Sequence, residues 1–572
     1  MWGKGKPMIK KEKQKNMKRY IFVIMAICAI TTIFAKAPEK DAVYKLVSKS
    51  YTLNADGSTE FRKRVELQIF TRMTFDEFGE TFITYNPDFQ ELIINEAYTI
   101  RKDGSKVETP ANAFNPMLPE SCTKCERLNG IRTMVVTHTA LEYDAVIVLD
   151  YTIRSKNFFF QELMEKVDLY EKVPIEKYVV SVTTPKYKTA KFQLHGANLH
   201  YSGTEYFGTD YTTVYTFTNL PEAPSSGFVF PSAWPSLTFF TLDKEEDIIG
   251  RIANQNSMKK FDNQKITDFF FGRFTGEMDD MDKILLVRDY IHDYIRTNDV
   301  DVKTLNYMFA SPQQVWESNC ATPIEKNILL VGVLQSLGYD AQLAFPKDAL
   351  ATVLKTIVRV LLRGGNACYI SANESEDLSL DASFAPATLI LQNGSIEKVE
   401  AQPTFVEVDA YIYVENGDLE NPRVDVTRKD VRSPKTKTLQ PQEINVAKVT
   451  VSQLSGKYYE MTIDDGGYGK HFYPVDIPSD MPYGINTKQT DETYVYTIKL
   501  PTNVRCLTKT IHKEITVENA KMLMDVQVDG QTVTIKRKLS LPQEGISAKN
   551  VKKFKAMMGE WEVPVKLVIS NL

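Results

Sequence analysis

Thr322-Pro-Ile-Glu-Lys-Asn-Ile-Leu-Leu-Val-Gly-Val-Leu-Gln-Ser-Leu-Gly-Tyr-Asp-Ala341 is the stretch on which the reading of this chain turns. Its punctuation is that of one helix. Thr322 is a natural N-cap, and Pro323 suits the first helical position because no N–H is needed there. Glu325 stands where it can close a capping box. Ile328, Leu329, Val331, Leu334 and Leu337 carry the apolar pattern onward, and Gly338 supplies a stop. Upstream, Ser311-Pro312 opens a shorter helix bearing Val315 and Trp316. Before that, Ile284, Val287, Ile291, Tyr294 and Ile295 lie mostly three or four apart and predict one apolar helical face. Downstream come strand candidates: Ala341-Gln-Leu-Ala-Phe345, a segment around Cys368-Tyr-Ile370, and Leu378-Ser-Leu-Asp381. Helices followed by strands predict an α+β domain over residues 245–400.

Strands lie on both sides of it. Residues 38–241 hold short strand candidates such as Ala145-Val-Ile-Val-Leu-Asp-Tyr-Thr-Ile153 and Tyr178-Val-Val-Ser-Val-Thr-Thr184. Ala97 to Val107 reads as two strands about an Asp103-Gly104 turn. An N-terminal antiparallel β-sandwich is expected, left through the proline-rich stretch from Pro221 to Pro235. After residue 400 the candidates include Thr404-Phe-Val-Glu-Val408, Tyr411-Ile-Tyr-Val414, Tyr494 to Leu500 and Thr532 to Leu539. They predict a second β-sandwich-like domain over 401–572. Three such domains suit a chain of 572 residues.

Residues 1–37 are different in kind. They hold nine Lys/Arg and one Glu, which leaves 60 basic and 72 acidic side chains beyond them, a net of −12. So acidic a body argues against a general nucleic-acid binder, whose affinity comes from clustered Lys and Arg. Tyr20 to Phe34 is an apolar run behind Lys18 and Arg19, and Ala35-Lys36-Ala37 follows with small residues. That order predicts a cleaved signal peptide, with residues 1–16 an upstream extension and Met17 the more usual start. Cys28 follows the bulky Ile27 and is not expected to be acylated. The run is short for a bilayer span, where about 20 apolar residues are needed. The mature protein is therefore expected to be exported and not an integral membrane protein.

Five cysteines remain after such cleavage: Cys122, Cys125, Cys320, Cys368 and Cys506. Cys122-Thr-Lys-Cys125 has no second C-x-x-C to complete a zinc site. It reads as a local disulfide or as two idle thiols. Cys368 reads as a buried apolar cysteine, His292 as a polar-face residue of its helix, and Asp279-Asp280 and Asp464-Asp465 as solvated turns. No G-x-S-x-G, H-E-x-x-H or glycine-rich phosphate loop is present, and no cofactor or metal is expected.

Three segments carry a resemblance: Ser311-Pro-Gln-Gln-Val-Trp316, the Thr322–Ala341 helix, and Leu380-Asp381-Ala382-Ser383. Together they resemble the bacterial transglutaminase-like superfamily, whose domains share a papain-like fold. The preceding region resembles a β-rich domain of unknown function found ahead of such domains in envelope proteins of Gram-negative bacteria. Thr99 to Val107, Met134-Val-Val-Thr-His-Thr139 and Asn219-Leu-Pro-Glu-Ala-Pro224 are the segments concerned. The resemblance spans residues 42–400. It implies a thiol at a helix N-terminus, a His on a neighbouring strand as proton carrier, and an Asp on the next strand to orient it.

This sequence departs from that pattern. The family helix begins Gly-Asp-Cys-Lys-Asp-Lys, whereas here Ala321-Thr-Pro-Ile-Glu-Lys326 puts Pro323 at the nucleophile position. No histidine lies between Cys320 and Asp381, and spacing back from Asp381 puts the base position at Ala367. The expectation is a non-catalytic exported protein, periplasmic or associated with the outer envelope of a Gram-negative bacterium. It would act as a binding or scaffolding module for a peptide, protein or envelope ligand. The alternative is an active thiol transglutaminase or peptidase using Cys320, three residues upstream, with a non-standard base.

Overall fold

The computed structural model describes residues 40–571 apart from 158, 197–198, 224–233, 260, 262, 348–353, 374–386, 400–403, 415–421, 431–447, 465–483, 486, 488–489 and 543–544. The signal-peptide region with Cys28, the Leu378–Asp381 segment and Asp465 lie outside the described residues.

The first domain is built on an eight-stranded sheet. Its strand order is Tyr201–Phe207, Asp210–Leu220, Ile175–Pro185, Ala42–Leu53, Thr59–Ile69, Val146–Ser155, Gln90–Ile100, Lys106–Glu108. Neighbours run antiparallel except that Ala42–Leu53 and Ile175–Pro185 are parallel, which the sandwich expectation did not include. The last two strands meet at the Asp103-Gly104 turn, where Gly104 takes φ +83°. Two three-stranded sheets share buried clusters with the large one. Leu237, Phe239 and Val167 pack with Val47, Tyr178 and Phe217, and Ile83 and Val136 pack with Ala97, Leu149 and Tyr151. Ser236–Phe240 pairs with Lys191–His195 and Met164–Asp168. The proline-rich stretch before it is therefore an internal connection rather than the exit linker.

Among the described residues, five α-helices and a five-stranded sheet make the central domain. The helices are Asp247–Ala253, Gln264–Phe271, Asp280–Tyr294, Pro312–Ser318 and Pro323–Ser336. The antiparallel sheet has the order Ala367–Ile370, Ile357–Leu361, Asp340–Pro346, Ala387–Leu391, Ile396–Val399. Every residue from Ile324 to Leu334 is buried; a helix covered all round sits in the core of its domain. Gly332 is needed there, because a Cβ would stand 3.0 Å from Phe261 Cβ and 3.1 Å from Pro312 Cγ. The helix ends as expected at Gly338, with φ +90°. Asp279 is no solvated turn. It caps the Asp280–Tyr294 helix by accepting the Asp282 N–H at 2.8 Å, and Asp282 reciprocates.

The C-terminal domain pairs a six-stranded with a four-stranded sheet about one core, into which the Val551–Glu562 helix inserts Phe554, Met557, Met558 and Trp561. Thr404–Tyr413 is one continuous strand rather than two, parallel to Thr490–Lys499.

Candidate functional site

The first turn of the Pro323–Ser336 helix carries a dense set of polar contacts. Glu325 is fully buried, yet its carboxylate is satisfied throughout. Oε2 accepts the Thr322 N–H at 2.8 Å, and Oε1 accepts the Ala310 N–H at 2.7 Å. The Arg127 guanidinium reaches across from the first domain to donate at 3.2 and 2.9 Å. Arg127 also donates to Cys320 O at 3.1 Å. The box is thus closed from the Glu325 side. The reciprocal approach of Thr322 Oγ1 falls short of a hydrogen bond, and that oxygen is buried without a partner. Next along, Lys326 donates to His292 O and Thr297 Oγ1 at 3.0 and 2.9 Å, and burial pushes its pKa down to about 8.

A cleft of about 520 Å³ opens beside this turn. Thr322, Pro323 and Ile324 line it from the start of the helix, and Thr356, Ser371 and Asn373 line it from segments flanking two adjacent strands. Asp299, Asp301 and Lys355 stand exposed at its rim. Thr356 immediately precedes the Ile357–Leu361 strand, and Ser371 immediately follows Ala367–Ile370. These two strands are antiparallel neighbours, with Val358 opposite Ile370, so Thr356 and Ser371 come to the same end of the sheet. Asn327, one turn into the helix and fully buried, ties them together. Its Nδ2 donates to Thr356 O at 2.9 Å and Thr356 Oγ1 at 3.1 Å, while Oδ1 accepts the Ala372 N–H at 2.9 Å. Asn373 Nδ2 donates to Pro323 O at 2.9 Å. Asn373 Oδ1, like Thr322 Oγ1, has no partner among the described residues.

Of the residues singled out in the sequence, Pro323 lines the cleft. Ala367 does not; it lies at the far end of its strand, opposite Leu361. Asp381 lies outside the described residues. Cys320 is not available as a thiol nucleophile, because its sulfur is bonded to Cys125 across the domain boundary and is fully buried. The same bond corrects the reading of Cys122-Thr-Lys-Cys125, which is not bridged within itself: Cys122 is a free, buried thiol. Cys368 is buried as expected, its thiol pushed up to about 11 by burial. His292 sits on its helix with Nδ1 2.9 Å from Asp293 and does not line the cleft.

Sequence reasoning missed Thr356, Ser371, Asn373 and Asn327. The signal that could have found them was the run Ile357-Val-Arg-Val-Leu361 before Gly364-Gly365, a strand and turn pattern. Among the described residues no group of three or more His, Cys, Asp or Glu is gathered to hold a metal, and no helix is long and apolar enough to cross a membrane.

Residues 55–224 match a domain of unknown function with solved structure, DUF3857, and residues 478–569 match another, DUF3858. No curated protein matches the chain. A crystal structure from Cytophaga hutchinsonii, described as a "putative cysteine protease", is 10% identical over 49% of this chain and 93% of its own, with a TM-score of 0.18, too low to bear on the fold. Another, from Parabacteroides distasonis ATCC 8503 and described as a "putative protease", is 22% identical. It covers 93% of this chain and 99% of its own length with a TM-score of 0.69. The chain therefore has the β-rich, multidomain fold of that protein; at this identity the likeness is one of fold alone.

Proposed function

We propose that the chain is an exported, non-catalytic transglutaminase-like protein whose central cleft binds an amide-bearing ligand such as an extended peptide. One observation carries the reading. The papain-like arrangement calls for a thiol at the helix N-terminus, a base at the end of an adjacent strand, and an acid on the next. Pro323 at the helix start, Thr356 before one strand and Ser371 after its neighbour support reading those places as held by residues with no thiol, imidazole or carboxylate. Proline has no side-chain nucleophile. The Thr356 and Ser371 hydroxyls lie against the amide of Asn327 rather than a base that could take their protons. Losing nucleophile and base together removes groups that act as a unit.

Binding chemistry remains. Asn373 Oδ1 can accept an N–H and the Thr322 hydroxyl can donate to a carbonyl, the two halves of an amide. Val300, Val302, Ile324 and Leu354 supply apolar walls. Export is supported by the basic, apolar and small-residue order from Lys18 to Ala37 and by the Cys125–Cys320 disulfide, which suits an oxidising compartment. A Gram-negative periplasm or outer envelope fits both.

The test incubates the chain with glutamine-containing peptides, with and without a primary amine, and measures binding of the same peptides by calorimetry. No turnover is expected, and Asn373→Leu should weaken binding at least tenfold. Turnover abolished by Ser371→Ala or Thr356→Val would overturn the reading. Mass spectrometry of the native protein should place its N-terminus between Lys36 and Pro38, with Cys28 removed.

A further inference from the structure

We infer that Cys122, Cys125 and Cys320 form a sulfur relay, in which the Cys122 thiol displaces Cys320 from the interdomain disulfide and so releases the covalent tie between the first and central domains. All three cysteines are buried in one cluster with Leu128, Ile131 and Val300, whereas Cys368 and Cys506 belong to other clusters. The C-x-x-C segment is already folded on itself. Cys122 ends the short 3-10 turn Glu120–Cys122, and its N–H donates to Pro119 O at 2.9 Å. Lys124 then takes the left-handed conformation, φ +59°, unusual for lysine, so the chain turns sharply between the two cysteines.

The exchange balances without an added oxidant. The Cys122 thiolate attacks Cys125 Sγ, the Cys125–Cys320 bond breaks, a Cys122–Cys125 bond forms, and Cys320 leaves as a thiolate that takes up the proton lost by Cys122. One disulfide and one thiol stand on each side. What changes is their reach. The present bond spans 195 residues and joins two domains; the relayed bond would close only the C-x-x-C loop, which restrains the unfolded chain far less.

A brake is built in. Burial raises the Cys122 pKa and keeps the thiol protonated, so exchange needs the 119–131 loop to loosen or the pH to rise. That loop is held to the central domain by Asn298 Nδ2 donating to Ser121 O at 2.5 Å, Arg296 Nη1 donating to Lys124 O at 3.3 Å, and the Arg127–Glu325 pair. Once the bond has moved, only non-covalent contacts such as the Arg127–Glu325 pair would join the two domains.

The experiment holds the oxidised full-length mature chain in thiol-free buffer at pH 7 and pH 9, below its unfolding temperature, then acid-quenches, alkylates and maps it by mass spectrometry. A Cys122–Cys125 peptide with alkylated Cys320 should accumulate at least tenfold faster at pH 9. In Cys122→Ala it should not appear, and the Cys125–Cys320 link should persist. In Cys320→Ala, the C-x-x-C bond should form during export. Recovery of Cys122 as the sole alkylated member of the trio at both pH values would overturn the relay. So would Cys320→Ala protein in which Cys122 and Cys125 both remain thiols, or exchange seen only in unfolded chain.

Discussion

Two sets of polar atoms around the first turn of one helix have opposite fates. The Glu325 carboxylate is buried and takes a hydrogen bond from every direction: two backbone N–H groups and both ends of Arg127. Thr322 Oγ1 and Asn373 Oδ1, beside the cleft, take none from the described residues. The difference separates structure from binding. A buried charge is tolerated when its partners surround it, and here those partners join two domains. A buried polar oxygen without a partner needs its own explanation, and ligand binding is the one proposed for these two.

The comparison breaks most visibly if Glu325 is expendable. Glu325→Ala would strand Arg127 and two N–H donors, and should cost about 3–5 kcal/mol. Chemical unfolding measures it, and a double-mutant cycle with Arg127→Ala should return a coupling well above that of an exposed ion pair. A cost under about 1 kcal/mol would mean that the domains are joined elsewhere. Next in size is the disulfide. Replacing Cys125 and Cys320 together by alanine should cost about 2–4 kcal/mol, visible as a lower unfolding midpoint with no change when reductant is added.

A third test asks whether an orphaned polar atom carries an energetic signature at all. His138 is buried, with Nε2 2.9 Å from Thr81 Oγ1 and Nδ1 without a partner. Burial pushes its pKa down from 6.5 to about 4. Above pH 6.5 it is neutral folded or unfolded. As pH falls from 6.5 towards 4, the unfolded chain takes up a proton that the folded chain refuses, so stability declines through that window and levels off below it. The loss should reach about 3 kcal/mol, and His138→Gln should flatten that part of the stability–pH curve. An unchanged slope would mean that Nδ1 is already solvated.

What was legible in the sequence follows the range of the interactions. The central helix could be read from Thr322 to Gly338 because caps, proline and apolar spacing are local. The site opposite it could not be read while Ile357–Leu361 went unrecognised as a strand. Overlooking it moved the expected base position to Ala367, one strand away from Thr356. The Cys125–Cys320 bond and the Arg127–Glu325 pair join residues nearly two hundred positions apart, and no spacing rule reaches that far. Asp279 was readable and misread: an aspartate three residues before Asp282 at a helix start is a capping signal.

The smallest expected effect is the sharpest test of the comparison. From sequence alone, Thr322 should act as an ordinary N-cap, whose loss costs about 0.5–2 kcal/mol. In the structure its hydroxyl makes no hydrogen bond, and the cap function has passed to the Glu325 carboxylate. Thr322→Val keeps the shape and deletes the hydroxyl. Removing an oxygen that was buried without a partner should therefore leave stability within about 0.5 kcal/mol of the parent, or raise it slightly. The same change should weaken peptide binding, because it removes the donor offered to a ligand carbonyl. Unfolding and calorimetry on one variant read the two together. A destabilisation above about 1 kcal/mol with binding intact would return Thr322 to the cap and leave Asn373 Oδ1 as the cleft's one buried polar atom without a partner among the described residues.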